Sequence, residues 1–293
     1  MAGGFDLDGI IAAVPTPVDD RGTPVKDMFV DHCRWALAHG CDGLNILGST
    51  GEANSHGYDA RIRVMGWAAE ALDVARLMVG TGTPSLADTV QLTQAADDLG
   101  YAVALVLPPY YYKPLSDDGL FAFYETLHHR LGARGIAIYF YNYPQMTGLV
   151  IPVGVIARLA QAYPDRFRGI KDSSGDLNYA RDIVAAVPGF RVFPSSETAL
   201  GEAVSSGFAG CISATVNVSA DLCGTIWASR TDVPGDLLAR AGDIRAAVAS
   251  CPLIPAVKYM VARRTGNAAW ARVVPPFLPV DAPQRAKLDR IAL

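Results

Sequence analysis

One lysine follows a short apolar segment, where an unpaired charge would be costly. Lys171 lies in FRGIKDSSGD (167–176), directly after Ile170 and before a polar loop. Burial lowers the pKa of a lysine, and the free lone pair of a neutral amine can attack a carbonyl to form a Schiff base. The alternative is a solvated lysine at the rim of the element, in an ion pair with Asp172 or Asp176.

A tyrosine that could move protons for such a reaction ends the preceding apolar segment. Tyr141 is the last residue of IAIYFY (136–141). A phenol beside an imine can donate a proton and take it back, which is the acid–base role that imine chemistry requires. The alternative is that Tyr139 and Tyr141 only fill the protein core, as aromatic residues commonly do.

A glycine-rich turn is suited to binding an anion such as a carboxylate. The segment LGSTGEAN (47–54) contains the hydroxyls of Ser49 and Thr50 between two glycines. Turns of this kind expose backbone N–H groups that bind anions. Alone the signal is weak, because Glu52 could simply favour the first turn of a following helix.

Eight apolar segments alternate with amphipathic ones and predict the fold. The segments are 10–14, 43–47, 77–81, 103–107, 136–141, 168–171, 191–193 and 210–213. Strands that alternate with helices and are near-continuously apolar favour a parallel sheet covered on both faces. We therefore predict a (β/α)₈ TIM barrel over 1–219, with 220–293 as the last barrel helix and a helical C-terminal extension of the same domain. An open Rossmann-type sheet is the alternative, but no GxGxxG follows the first strand.

The barrel prediction explains the position of the lysine. Side chains at the C-terminal ends of barrel strands face the catalytic mouth. Alternation along strand six sends Ile170 outward and Gly169 and Lys171 inward. Gly169 is expected to leave open space beneath the amine, and Tyr141 to lie beside it on strand five.

Composition excludes several classes of function. The 293 residues are 51% apolar with a net charge of −4 and no basic cluster, so we expect no nucleic-acid partner. No apolar segment approaches the roughly 20 residues that cross a membrane, and the start lacks a secretory pattern, so we expect a cytoplasmic protein. The five cysteines are widely spaced without CxxC, and the histidines lack metal-ligand spacing; we predict free thiols and no metal.

With these motifs in this order, the sequence resembles the dihydrodipicolinate synthase/N-acetylneuraminate lyase family of class I, pyruvate-type aldolases. The motifs are VPTPVDDRG, GSTGE, PPYYYKP, YNYPQMTG, GIKDSSGD and GCISATVNV, and they extend over most of the chain. The resemblance implies a barrel with a helical C-terminal region, a homotetramer, and no cofactor beyond the covalent lysine imine with the 2-oxo acid substrate.

The resemblance also implies roles for individual residues. Lys171 resembles the Schiff-base lysine, and Tyr141 the proton-transferring tyrosine. Ser49 and Thr50 match the pair that holds the carboxylate, and Thr50 is also expected to take part in proton transfer. Tyr111 resembles the tyrosine that a neighbouring subunit contributes to a proton relay, although a purely structural role remains the alternative.

The sequence departs from the synthases at a substrate-binding position. Where they carry an arginine for the carboxylate of the aldehyde, this chain has Met146, which cannot form that bidentate contact. The lyase branch has an apolar residue there and an acidic residue after strand seven. Glu197 aligns with that acidic residue, next to Ser196, and Ser213 falls where a backbone carbonyl faces the site. Alternatively, Glu197 is a first-turn carboxylate of a helix.

The predicted function is a Schiff-base-forming lyase, aldolase or dehydratase, that acts on a 2-oxo acid. The favoured substrate is a 2-keto-3-deoxy sugar acid that yields pyruvate. One alternative is a dihydrodipicolinate synthase that condenses pyruvate with aspartate semialdehyde. A second is a non-catalytic barrel that binds an oxo acid. Binding alone needs no nucleophile, so the joint presence of lysine, tyrosine and carboxylate loop argues against the second alternative.

Overall fold

The structure, a computed structural model, describes residues 7–292 and contains eight strands alternating with helices. The strands are β1 Gly9–Ala13, β2 Gly43–Ile46, β3 Leu77–Gly80, β4 Val103–Val106, β5 Ala137–Asn142, β6 Phe167–Asp172, β7 Arg191–Pro194 and β8 Gly210–Ser213. The helices are α1 Lys26–Ala38, α2 Tyr58–Ala71, α3 Leu86–Asp98, α4 Asp117–Leu131, α5 Pro144–Thr147, α6 Val153–Ala162, α7 Leu177–Ala186, α8 Ala203–Ser206, α9 Val216–Ala228, α10 Gly235–Ala249, α11 Leu253–Thr265 and α12 Ala282–Leu288. All eight predicted strands are confirmed.

The strands form one parallel sheet that curls into a nearly closed barrel. Its order is β7-β6-β5-β4-β3-β2-β1-β8. Between the two end strands, the N–H of Ala209, just before β8, donates to the carbonyl of Val192 in β7 at 2.9 Å. The (β/α)₈ TIM barrel is therefore confirmed over the open Rossmann-type sheet, and all strand C-termini meet at one mouth.

Local signals in the sequence set the helix ends. The side chains of Ser85, Ser116 and Asp176 each accept a hydrogen bond from a backbone N–H in the first turn of α3, α4 and α7. Such caps satisfy amides that the helix leaves unpaired. Gly40 and Gly100, just after α1 and α3, have φ values of +97° and +85°. Glycine adopts this backbone conformation at little cost, so it ends both helices.

Alternation of side chains divides the apolar interior into two layers. Tyr139 and Tyr141 belong to the cluster inside the barrel, whereas Ile138 and Phe140 pack between the barrel and the helices. In β6 the alternation is interrupted. The pairing with β5 shifts by one residue, and Phe167 packs outward although simple alternation would turn it inward.

The helices after the barrel pack on it through charged as well as apolar contacts. Helices α10, α11 and α12 share an apolar cluster that includes Val257, Met260 and Leu288. Lys258 in α11 forms a fully buried ion pair with Glu52, whose other oxygen accepts the N–H of Val274 at 2.7 Å. Glu52 thus anchors the extension and does not serve the first turn of an α-helix. The predicted boundary at 219/220 falls within α9.

Of the helices in residues 7–292, no single one is both long and apolar enough to cross a membrane. The pair α10 and α11, bent by 113°, passes that test together by length and composition only.

Candidate active site

Lys171 and Tyr141 lie side by side at the mouth of the barrel. They occupy paired positions on the neighbouring strands β6 and β5. The Nζ atom of Lys171 is 4.6 Å from the centre of the Tyr141 ring. Both side chains are buried, with 4% and 3% exposure. The structure therefore brings together the two residues on which the predicted chemistry depends.

The surroundings of Lys171 favour a neutral amine. The pKa of its amine is lowered from 10.5 to about 7. Burial is the main cause of this shift, and the positive charge of Arg245 contributes to it. At neutral pH a large fraction of the amine is then unprotonated and nucleophilic. Asp172 accepts hydrogen bonds from Asn142 and Ser174 instead, at 2.7 Å each. The alternative of a rim lysine paired with that carboxylate is wrong.

The expected open space beneath the amine is also wrong, because an aromatic ring fills it. The ring of Tyr139, at the paired position on the neighbouring strand β5, lies over Gly169. A Cβ atom at residue 169 would lie 2.6 Å from Cε2 of Tyr139 and 2.8 Å from the carbonyl oxygen of Arg191. Gly169 therefore makes room for this ring, which forms a floor under Lys171.

Tyr141 is positioned to carry a proton. Burial raises its pKa to about 12, against the smaller opposite effect of hydrogen bonds with the hydroxyls of Ser49 and Ser173. The phenol is therefore protonated at neutral pH. Its oxygen lies 3.3 Å from Oγ of Ser49. The hydroxyl that reaches Tyr141 from the glycine-rich turn is thus that of Ser49, and no hydrogen bond joins Thr50 to Tyr141 in the described structure.

The glycine-rich turn after β2 keeps two amides free. Within it, the N–H of Gly51 donates to Gly48 at 3.0 Å and the N–H of Glu52 donates to Ser49 at 3.0 Å. Among residues 7–292, the N–H groups of Ser49 and Thr50 have no hydrogen-bond partner. Both residues line the cavity at the barrel mouth. Two free amides with adjacent hydroxyls can bind a carboxylate.

This cavity has a volume of about 420 Å³ and joins the barrel mouth to the C-terminal extension. The side chains of Lys171 and Arg245 line it, and none of the described residues that line it is aspartate or glutamate. Ser173, Ser195 and Gln145 add polar groups. A negatively charged small molecule fits this lining best.

The match to known proteins covers the whole barrel and its extension. Residues 6–292 match the model of the dihydrodipicolinate synthetase family. The chain belongs to this family. It is 32% identical to a 4-hydroxy-tetrahydrodipicolinate synthase of Rhodospirillum centenum over 80% of this chain and 79% of that protein. Family membership makes the protein a lyase of the class I aldolase type, so the non-catalytic alternative is set aside.

Solved structures of the family have the same fold. The dihydrodipicolinate synthase of Agrobacterium tumefaciens superposes with a TM-score of 0.89 at 29% identity, covering 96% of each chain. YagE of E. coli K12, a member of the family crystallised in complex with pyruvate, superposes with a TM-score of 0.86 at 25% identity, again covering 96% of each chain.

Three of the other predicted site residues, Glu197, Ser196 and Ser213, do not line the described cavity. Glu197 is fully buried, accepts a hydrogen bond from Ser213 at 2.8 Å and does not line the described cavity. It is the first residue of a 3₁₀ helix, Glu197–Glu202. The alternative prediction, that Glu197 lies in the first turn of a helix, therefore matches its position in the backbone. Ser196 caps this helix by accepting the N–H of Thr198. Ser195, one residue earlier, lines the cavity instead.

Met146 and Tyr111 are both exposed. Met146 lines the cavity with 60% exposure, on the short helix α5 after β5. Tyr111 is 73% exposed and packs edge-on against Tyr112 in the loop after β4. The structure of the single chain does not bring Tyr111 to Tyr141, so its role in the family's proton relay stays a prediction.

Sequence reasoning missed one charged residue of the site. Arg245 reaches the cavity from α10, and its Nη1 donates to Glu197 at 3.0 Å and to the hydroxyls of Ser213 and Thr215 at 3.2 Å each. The rule that site residues follow barrel strands does not apply to α10, which lies in the extension. The buried carboxylate after strand seven was the one available signal, since it requires a cationic partner.

Proposed function

We propose that the protein is a Schiff-base lyase that cleaves a 2-keto-3-deoxy sugar acid to pyruvate and an aldehyde. The observation that carries the proposal is the buried Lys171, with its pKa lowered to about 7, in contact with Tyr141. The nearby free amides of Ser49 and Thr50 would hold the C1 carboxylate.

In the first steps, the neutral amine of Lys171 attacks the C2 carbonyl and forms a carbinolamine. Tyr141 protonates the departing oxygen, which leaves as water, and the protonated imine and a phenolate remain. The phenolate then takes the proton of the C4 hydroxyl while the C3–C4 bond breaks and its electron pair moves into the imine. This gives an aldehyde and an enamine, and Tyr141 is again a phenol.

The enamine is then converted to pyruvate. Tyr141 protonates C3, water adds to the regenerated imine, and release of the amine restores the phenol and Lys171. The Ser49 hydroxyl, 3.3 Å from the phenol, would stabilise its ionised form during these transfers. The same imine could instead lose a proton from C3 to give an enamine, which then expels the C4 hydroxyl as water; this would make the enzyme a dehydratase.

The lining of the cavity supports a hydroxylated substrate. Ser173, Ser195 and Gln145 can each hydrogen-bond a substrate hydroxyl, and Met146 offers an apolar contact. Glu197, which the family resemblance assigned to the hydroxyls, is held by Arg245 and two other side chains. We therefore assign hydroxyl binding to the serines.

The second candidate is condensation of pyruvate with aspartate semialdehyde. The names of the Rhodospirillum centenum and Agrobacterium tumefaciens relatives favour it. The absence of an arginine at Met146 disfavours it. We further propose a homotetramer in which the exposed Tyr111 enters a neighbouring site.

Reduction with borohydride in the presence of pyruvate tests the shared step. We expect wild-type protein to gain the mass of one reduced pyruvyl group, located by digestion on the peptide that contains Lys171. The K171A variant should gain none, and K26A, which removes an exposed lysine paired with Glu70, should behave as wild type. A wild-type protein that stays unmodified would refute the imine mechanism.

A further inference from the structure

The cavity contains an arginine in addition to the reactive lysine. The side chain of Arg245 is 29% exposed at the cavity. Its charge is close enough to lower the pKa of Lys171, and it also lowers the pKa of Tyr143 against the larger effect of burial. Glu197, behind the cavity wall, offsets part of this charge, but no carboxylate among the described residues that line the cavity competes with an anion there.

The geometry of Arg245 leaves one side of its guanidinium free. Nη1 is held by Glu197, Ser213 and Thr215, and these three side chains are almost fully buried, with at most 1% exposure. Nε and Nη2 have no hydrogen-bond partner among residues 7–292. One side is therefore fixed by the protein while the other retains two N–H groups in the planar arrangement that binds a carboxylate in a bidentate manner.

The turn after β2 can bind one carboxylate of the substrate, the C1 carboxylate next to the oxo group. The free amides of Ser49 and Thr50 provide that position, so an anion at Arg245 must belong to another part of the substrate. The described residues of β5 and α5 that line the cavity, which include Met146, provide no cation for that anion.

We propose that Arg245 binds a carboxylate on the aldehyde part of the substrate, so that the enzyme prefers substrates with a negative charge at both ends. This inference rests on the proposed function and narrows its substrate class. Glu197, Ser213 and Thr215 act as positioning residues that hold the guanidinium. The competing explanation is that Arg245 only neutralises the buried Glu197 and does not touch substrate.

Condensation of pyruvate with matched aldehydes distinguishes these explanations. Glyceraldehyde and tartronate semialdehyde have the same carbon skeleton and differ at one end, a hydroxymethyl group against a carboxylate. Aspartate semialdehyde is the third probe. We would measure kcat/KM for each with wild type, R245Q and R245K. R240Q is the control, because it removes the same charge from the same helix at a position outside this cavity.

We expect wild type to favour the carboxylate-bearing aldehydes. R245Q should lower kcat/KM for these by roughly 10- to 100-fold and change it by less than about threefold for glyceraldehyde. R245K keeps a cation beside Glu197 but lacks the two parallel donors. Its kcat/KM for the carboxylate-bearing aldehydes should lie between those of wild type and R245Q. R240Q should match wild type. If aspartate semialdehyde exceeds tartronate semialdehyde, the subsite stands and the second candidate function replaces the first.

Two results would overturn the subsite. One is a wild type that uses glyceraldehyde as well as or better than tartronate semialdehyde, which needs no variant and is unaffected by folding defects. The other is an equal loss for both aldehydes in R245Q or, where R245Q fails to fold, in R245K. Pyruvate trapping separates the failures. If borohydride traps pyruvate on the wild-type protein but the protein does not prefer carboxylate-bearing aldehydes, only the subsite is refuted. If no pyruvate is trapped, the imine mechanism and the subsite are refuted together.

Discussion

Replacement of Lys171 by methionine is expected to abolish imine formation and, at the same time, to raise the free energy of unfolding. In the folded protein, burial lowers the pKa of this lysine from 10.5 to about 7. The folded state therefore disfavours the proton that the unfolded chain binds, and the lysine destabilises the fold at neutral pH. Methionine has a similar length without a charge, so it avoids this cost.

The size and the pH dependence of the effect follow from the two pKa values. The difference between 10.5 and about 7 corresponds to about 5 kcal/mol as an upper bound, and we expect K171M to gain on the order of 3 kcal/mol at pH 7. Below the folded pKa the gain is complete. Between about pH 7 and pH 10.5 the unfolded chain binds more protons than the folded one, so wild-type stability rises and the advantage of K171M shrinks.

A second buried lysine provides the control. Lys258 is fully buried and forms an ion pair with Glu52, so K258M leaves an unpaired carboxylate inside the protein. We expect K258M to lose about 3 to 5 kcal/mol, the opposite sign from K171M. Two buried lysines would thus differ in their effect on stability because only one has an anionic partner.

Urea denaturation at one fixed protein concentration measures both effects. Unfolding midpoints and slopes for wild type, K171M and K258M would be compared at pH 7 and pH 9. The advantage of K171M should fall by on the order of 2 kcal/mol between these two values. A K171M protein that is less stable than wild type at pH 7, or an advantage that is equal at both pH values, would refute the reasoning.

Three other predictions concern the same side chains. The rate of pyruvate trapping should rise with pH through about pH 7 and then level off, because only the neutral Lys171 amine attacks; a midpoint near the ordinary lysine value of 10.5 would contradict this. Y141F should lower kcat for pyruvate release by roughly 10²- to 10⁴-fold, measured by a coupled assay, and an unchanged kcat would exclude the phenol from proton transfer. G169A should lose about 1 to 3 kcal/mol in urea denaturation because its Cβ overlaps the Tyr139 ring, whereas G66A, with open space around its Cβ, should gain about 0.5 to 1 kcal/mol; similar effects of the two changes would contradict the packing argument.

The barrel and the pair at its mouth could be predicted because both depend on short-range patterns. Each strand is a short apolar run between turn residues, and side chains alternate along it. Consecutive strands of a parallel barrel are neighbours, so Tyr141 and Lys171 had to meet once each was placed at a strand end. The sequence does not show that the side-chain alternation of β6 is interrupted at Arg168. The inward orientation of Lys171 was still predicted correctly, because the predicted strand, 168–171, starts after Phe167.

The parts that were missed depend on contacts between distant residues. Gly169 suggested empty space because a sequence does not show which neighbouring side chain will fill it. The ion pair of Glu52 with Lys258 joins residues 206 positions apart. A glutamate after a glycine-rich turn reads as a helix-start residue until the extension is placed over it.

Arg245 shows why the substrate is harder to predict than the reaction. The lysine and tyrosine belong to strands whose positions the fold fixes, whereas the far end of the cavity is built by α10, whose placement over the barrel is set by its own packing. The resemblance to the synthases led us to expect an arginine where this chain has Met146, and another arginine, Arg245, enters the same cavity from this helix. A residue-by-residue comparison along the strands shows that the arginine is absent at Met146, but it does not show that Arg245 reaches the same cavity. The charge that the cavity presents therefore follows from the three-dimensional structure, in which Glu197 lies outside the cavity lining and holds Arg245 at its wall.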